Sequence, residues 1–197
     1  MNQSKRFAEW DLPEGYALFR TIDLAKNRKE NAIVSALSLA LLVVVFAFGF
    51  LIREDPGAAG EEYLPVMAAG LVAFFAYIVL HEAVHGIFMW YFSKQKPHFG
   101  ISLQYAYAGS KAYFRKTPYL IIALAPVAVW GVVFLAAALL APGIWFWLFW
   151  FLLAGNFSGA AGDLYVFWQV SRMQPDILVQ DDGVAMRIYA PAPLPET

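Results

Sequence analysis

Residues 63 to 92 read YLPVMAAGLVAFFAYIVLHEAVHGIFMWYF. The run is broken only by His81, Glu82 and His85, and at 1.5 Å per residue it is long enough to cross a hydrocarbon core roughly 30 Å thick. A spanning helix with three ionisable side chains inside five positions decides both the fold and the place of the chemistry. A charge at the centre of a bilayer costs at least about 2.5 to 3.5 kcal/mol, so such residues mark a functional site by default.

The rest of the chain extends the same pattern. Of its 197 residues 60% are hydrophobic, 17% aromatic and 15% charged, against roughly 25% charged in a soluble domain. A water-soluble globule is excluded on that ground. Ala32 to Ile52 carries no charge, Pro118 to Leu140 is apolar throughout, and Ile144 to Val170 holds one charge, Asp163. Ala141-Pro142-Gly143 between the last two is a turn, because proline ends a helix and glycine permits the reversal. The expectation is an all-α polytopic membrane protein in one domain, 1–197, with transmembrane helices at 32–52, 63–92, 118–140 and 144–170. The polar leader, 1–31, is too long for the cationic region of a signal peptide and is expected to be retained. A net charge of -1 and a pI near 6.3 lack the basic footprint of nucleic-acid binding, and the absence of cysteine excludes disulfides and thiolate sites.

Basic residues give the orientation. Six lie in the leader, five between Lys94 and Lys116 and two in the tail, whereas Arg53 alone lies between the first two runs. The positive-inside rule then places both termini and segment 93–117 in the cytoplasm. Phe99, Ile101, Leu103, Tyr105 and Tyr107 alternate with smaller or polar residues, a strand pattern. Ala108-Gly109-Ser110 is expected to turn it back along Lys111 to Lys116 as a small cytoplasmic β-hairpin. Ile177 to Tyr189, reversed at Asp181-Asp182-Gly183, reads as a second hairpin in the tail, 171–197. Tyr16 to Leu24 fits a strand or a surface helix equally. Tryptophans 145, 147 and 150 suit an interfacial belt or a packing face.

His81-Glu82-Ala83-Val84-His85 is an H-E-x-x-H motif. On a helix its histidines lie one turn apart on one face, where both imidazoles can hold a single Zn²⁺ and the glutamate can act as base toward water. Random placement of these residues would give such a pattern only about 0.002 times. The plainer alternatives are packed neutral histidines beside a protonated glutamate, and a haem, which two histidines on one helix face cannot grip from opposite sides. Catalytic zinc usually takes three protein ligands. Tyr91 stands where a longer zinc motif has its third histidine, and the first carboxylate after Glu82 is Asp163. His85 and Asp163 each lie nine residues before a basic residue, Lys94 and Arg172, so their depths match at about 13 Å of helix. Asp163 is therefore the leading third ligand, with His98 the alternative. Gly155 and Gly159 are spaced to let another helix approach closely. Asn156 could bind a substrate backbone, donate to an oxyanion or join helices.

These residues resemble a family of small prokaryotic membrane proteins described as zincin peptidases, which are similar to the site-2 proteases that cut substrates within the membrane. The likeness covers Leu12-Pro13-Glu14-Gly15-Tyr16, the motif with Gly86, Leu124-Ala125-Pro126, Asn156, Gly162-Asp163 and Asp176 to Tyr189. It implies zinc on His81, His85 and Asp163 and a catalytic Glu82. Site-2 proteases usually set the aspartate in an Asn-Pro-Asp-Gly run; here it follows Ala161-Gly162, with Asn156, the candidate substrate-binding residue, seven positions upstream. The expected function is a zinc-dependent intramembrane endopeptidase acting on a membrane protein or peptide in the bilayer of a prokaryotic cytoplasmic membrane. Its rival is a non-enzymatic membrane binding or scaffold protein with a structural metal.

Overall fold

The three long apolar runs form helices, two of which begin before the apolar residues do. The computed structural model describes residues 7–53, 63–101 and 106–192. Helix α1 spans Arg28–Ile52, α2 Tyr63–Ser93 and α3 Lys116–Leu140. Asn27 starts α1 by accepting hydrogen bonds from the Lys29 and Glu30 amides, two donors that no helical carbonyl reaches. Among the described residues these three helices are long and apolar enough to cross a membrane.

The fourth run departs from expectation. It is two helices, α4 (Trp145–Gly159) and α5 (Ala161–Ser171), divided at Ala160. Ser158-Gly159 precedes the break, and a Ser/Gly pair is a weak point in any helix because glycine gains little from helical geometry. The break places Asp163 in the first turn of α5. Gly155 faces the Phe74 ring of α2, where a Cβ would lie 2.9 Å from it, but Gly159 has no neighbour at that distance, so one glycine of the pair makes a close approach. Trp150 is a packing residue: it is buried and donates to the Val45 carbonyl of α1 at 2.9 Å.

The all-α expectation is corrected by two sheets. Strands β1 (Ala8–Glu9), β2 (Tyr16–Ile22), β5 (Tyr113–Arg115), β6 (Leu178–Asp181) and β7 (Met186–Pro191) form one antiparallel sheet in the order β1-β5-β6-β7-β2. Leader, central connection and tail thus meet in one layer, and the second expected hairpin is its β6–β7 pair. The first expected hairpin has a different register. Strand β3 (His98–Ile101) pairs with β4 (Ala106–Gly109), His98 opposite Gly109 and Ile101 opposite Ala106, so the reversal falls before Ala106. Residues 113–115 leave to join the larger sheet. Gly100 fits this register because the Tyr107 ring lies across it, where a Cβ would come within 2.3 Å. Alternating positions 102 to 105, with Lys5 and Arg6, lie outside the described residues.

Packing fixes the helices around the future site. Helix α1 packs on α4 and α5, and α2 on α3 and α4. One apolar cluster joins the sheet to the nearby helix ends through Phe114, Ile188, Met89 and Tyr165; the other joins Tyr77, Phe134, Leu148 and Trp150. His81 and His85 lie on α2 between Tyr77 of the second cluster and Met89 of the first. Arg20 of β2 binds Glu30 of α1 at 2.7 Å and Gln169 of α5 at 3.2 Å, tying sheet to helices. At the opposite end Arg53 donates to the Ala141 and Gly143 carbonyls, holding the end of α1 to the α3–α4 turn.

Candidate metal centre

The helical spacing of the motif does what the sequence requires of it. His81 and His85 lie one turn apart on α2 with ring centroids 5.1 Å apart, both buried at 7% and 8% exposure. Asp163 comes to them from α5. Its Oδ2 lies 3.3 Å from His81 Nε2 and its Oδ1 3.3 Å from His85 Nε2. One donor atom from each residue lies within 4.8 Å of the others, so the three could hold a metal ion. His98 is elsewhere: its Nε2 donates to the Asp182 carbonyl at 3.1 Å, at the junction of β3 with the β6–β7 turn.

The donor set fits zinc. Two imidazoles and one carboxylate are its ordinary three-residue catalytic complement, and a metal-binding histidine normally donates its other ring N–H to a fixed acceptor. Both histidines have such a neighbour. His85 Nδ1 is 3.0 Å from the Ile122 carbonyl, which can only accept, so Nδ1 carries the hydrogen and Nε2 presents its lone pair toward Asp163. Ile122 is free for this because the residue four positions on is Pro126, inside α3, and proline has no N–H to close the helical bond. His81 Nδ1 lies 2.9 Å from Tyr77 Oη.

A cavity of roughly 310 Å³ opens beside the cluster, lined by Glu82, His85, Asp163, Ala108, Asp181 and Met186 among others. Glu82 reaches into it and accepts the Ala108 amide of β4 at 2.8 Å. Asp181 borders it from the sheet. Burial pushes the Asp181 carboxyl above its usual range, despite hydrogen bonds from Tyr119 Oη at 2.7 Å and the Gly183 amide at 2.9 Å. Asn156 does not line the cavity. It is fully buried, with Oδ1 accepting from Tyr77 and Nδ2 donating to the Val127 carbonyl of α3.

A family profile described as "Putative zincin peptidase" matches residues 74–178. The chain belongs to that family. No curated protein and no solved structure is detectably similar to it. The zincin match takes in the motif, the β3–β4 hairpin, α3, α4 and Asp163, whereas α1, β1, β2 and β7 lie outside it. The match thus covers the cluster and its surroundings on α2 to α5.

Sequence reasoning missed three partners of the cluster. Tyr77 was findable, since it stands one turn before His81 on the same helix face. The Ile122 carbonyl had a faint signal in Pro126. The Ala108 amide had none, because a backbone donor leaves no trace in side-chain pattern.

Proposed function

We propose that this zincin-family chain is a zinc-dependent endopeptidase that hydrolyses peptide bonds of membrane-embedded substrates. The observation that carries the reading is the convergence of His81, His85 and Asp163 into one group, with His85, Asp163 and Glu82 at the wall of one cavity. Zinc, when held by those three residues, supplies Lewis acidity that polarises a scissile carbonyl and makes water easier to deprotonate. Glu82 takes the proton of the attacking water and passes it to the leaving amine nitrogen.

A peptide must be extended to be cut, since a helix conceals its carbonyls. The Ala108 amide turns to Glu82 rather than to β3, so one edge of β4 faces the site. A substrate strand laid along that edge would gain main-chain hydrogen bonds that demand no particular sequence. Helices α4 and α5 together make the fourth crossing in this reading. The sheet brings together strands from the leader, segment 93–117 and the tail, and the concentration of basic residues in those three segments supports a cytoplasmic face at that end, in a prokaryotic cytoplasmic membrane. The whole chain then acts as one membrane-embedded unit.

Terminal-peptide proteomics of membranes carrying wild type or Glu82→Gln tests the activity. Proteolysis predicts new termini in membrane proteins that vanish in the variant. Identical termini in both would favour the rival, a binding or scaffold protein around a structural metal.

A further inference from the structure

We propose that Asn156 and Tyr77 are positioning residues that fix which nitrogen of His81 faces the metal. The inference rests on the zinc reading of the site, and neither residue touches the ion in it. The chain of hydrogen bonds starts at backbone. The Val127 carbonyl can only accept, so the Asn156 atom 3.0 Å from it is Nδ2, and this turns Oδ1 toward Tyr77. Tyr77 has a single hydroxyl proton. It is given to Asn156 Oδ1 at 2.9 Å, an atom that cannot donate in return.

The phenol oxygen therefore meets His81 Nδ1, 2.9 Å away, as an acceptor. Nδ1 must carry the imidazole hydrogen, and Nε2 is left with its lone pair directed at the Asp163 carboxylate, 3.3 Å away. Burial protects the assignment. Asn156, Tyr77 and His81 are 0%, 5% and 7% exposed, so little water competes for the protons. Tyr77 is also held by its ring, edge-on to Phe134 at 5.4 Å and to His81 at 5.6 Å. Without Oδ1 the phenol proton would turn to His81 Nδ1. The imidazole hydrogen would then move to Nε2, where it blocks ligation.

This direction of action makes a prediction that packing alone does not. Full-length protein in detergent is titrated with zinc against a chelator, and Co²⁺ spectra report the ligand field. Tyr77→Phe and Asn156→Leu should each weaken zinc about 10- to 100-fold and shift the Co²⁺ bands. The double variant should bind no more weakly than Asn156→Leu, because Asn156 acts only through the hydroxyl. Phe146→Leu, in the same apolar cluster but stacked on Trp150 rather than on Tyr77, should lower thermal stability and leave zinc affinity unchanged. Losses that multiply in the double variant, or wild-type affinity in folded Tyr77→Phe, would overturn the proposal. Tyr77→Phe decides it alone if Asn156→Leu does not fold. If wild type binds no zinc, the zinc reading falls and this inference with it. If His81→Ala abolishes binding while Tyr77→Phe does not weaken it, only this inference falls.

Discussion

Glu82 Oε2 accepts the Ala108 amide at 2.8 Å, so the single acidic side chain of α2 is also the point where the motif helix grips the β3–β4 hairpin. Glutamine retains an acceptor for that amide but cannot take a proton from water. Glu82→Gln should therefore keep fold and zinc while cleavage slows by about 10² to 10⁴-fold. Metal analysis beside a cleavage assay checks both halves. Lost zinc would place Glu82 in the ligand set instead.

One zinc per chain is expected, removed by a His81→Ala, His85→Ala double substitution. Asp163→Ala should also lose metal, since its two carboxylate oxygens face both Nε2 atoms. His98→Ala should retain it, because His98 binds the Asp182 carbonyl away from the cluster. The opposite pattern between those two single variants would move the site to the sheet.

Pro126→Ala restores an amide four residues after Ile122 and so gives that carbonyl a helical donor that competes with His85. Helix α3 should gain regularity while zinc affinity falls. The loss should be tenfold or less, roughly, since a carbonyl has a second lone pair to offer. Chelator competition measures it; unchanged affinity would show that the freed carbonyl does not matter to the site.

Because the chain has no cysteine, single introduced cysteines report topology cleanly. Lys111 and Pro142 are both exposed and lie at opposite ends of α3. Lys111→Cys should be protected from an impermeant thiol reagent added to intact cells, and Pro142→Cys should react. The reverse result inverts the proposed orientation.

The β6–β7 turn should be acid-sensitive. Burial alone would raise the Asp182 carboxyl. The Ala185 and Val184 amides, at 2.8 and 3.0 Å, and Arg187, at 2.7 Å, outweigh it and hold the group below the usual range. A carboxylate favoured by the fold stabilises fully above its unfolded value of about 3.9, and that contribution is lost as pH falls through the lower folded value. Asp182→Ala should thus melt below wild type at pH 7, and the gap should close as pH falls below the unfolded value and through the lower folded one. Gly183→Ala should cost more at either pH than the about 1–2 kcal/mol of a left-handed backbone, since Gly183 sits at φ +82° and a Cβ there would lie 2.2 Å from the Tyr107 ring.

How much of this was legible in the sequence divides along a physical line. Uninterrupted apolar runs gave α1, α2 and α3, and motif spacing with matched depth brought forward the three residues the fold gathers. The sheet was hidden because its pairings are remote: Phe114 meets Val179, and Ala17 meets Ala190. Alternation from Phe99 to Tyr107 reads alike whether the strand runs straight or doubles back, since a period of two does not record a reversal. The Ala160 break carries no proline, and the surrounding small residues served a close-packing reading equally well.

The strand order also imposes a timetable on biogenesis. Strand β2 ends at residue 22, but its partner β7 begins at residue 186, so at about 5–20 residues per second a ribosome needs roughly 10–30 s to supply it. Through that interval the edge of β2 has no mate, while α1, α2 and α3, the helices long and apolar enough to cross a membrane, are made. Asp163 is likewise made long after both histidines. A nascent chain halted before α5 would hold the H-E-x-x-H pair without its carboxylate, so the complete metal-binding group can assemble only once α5 has been made.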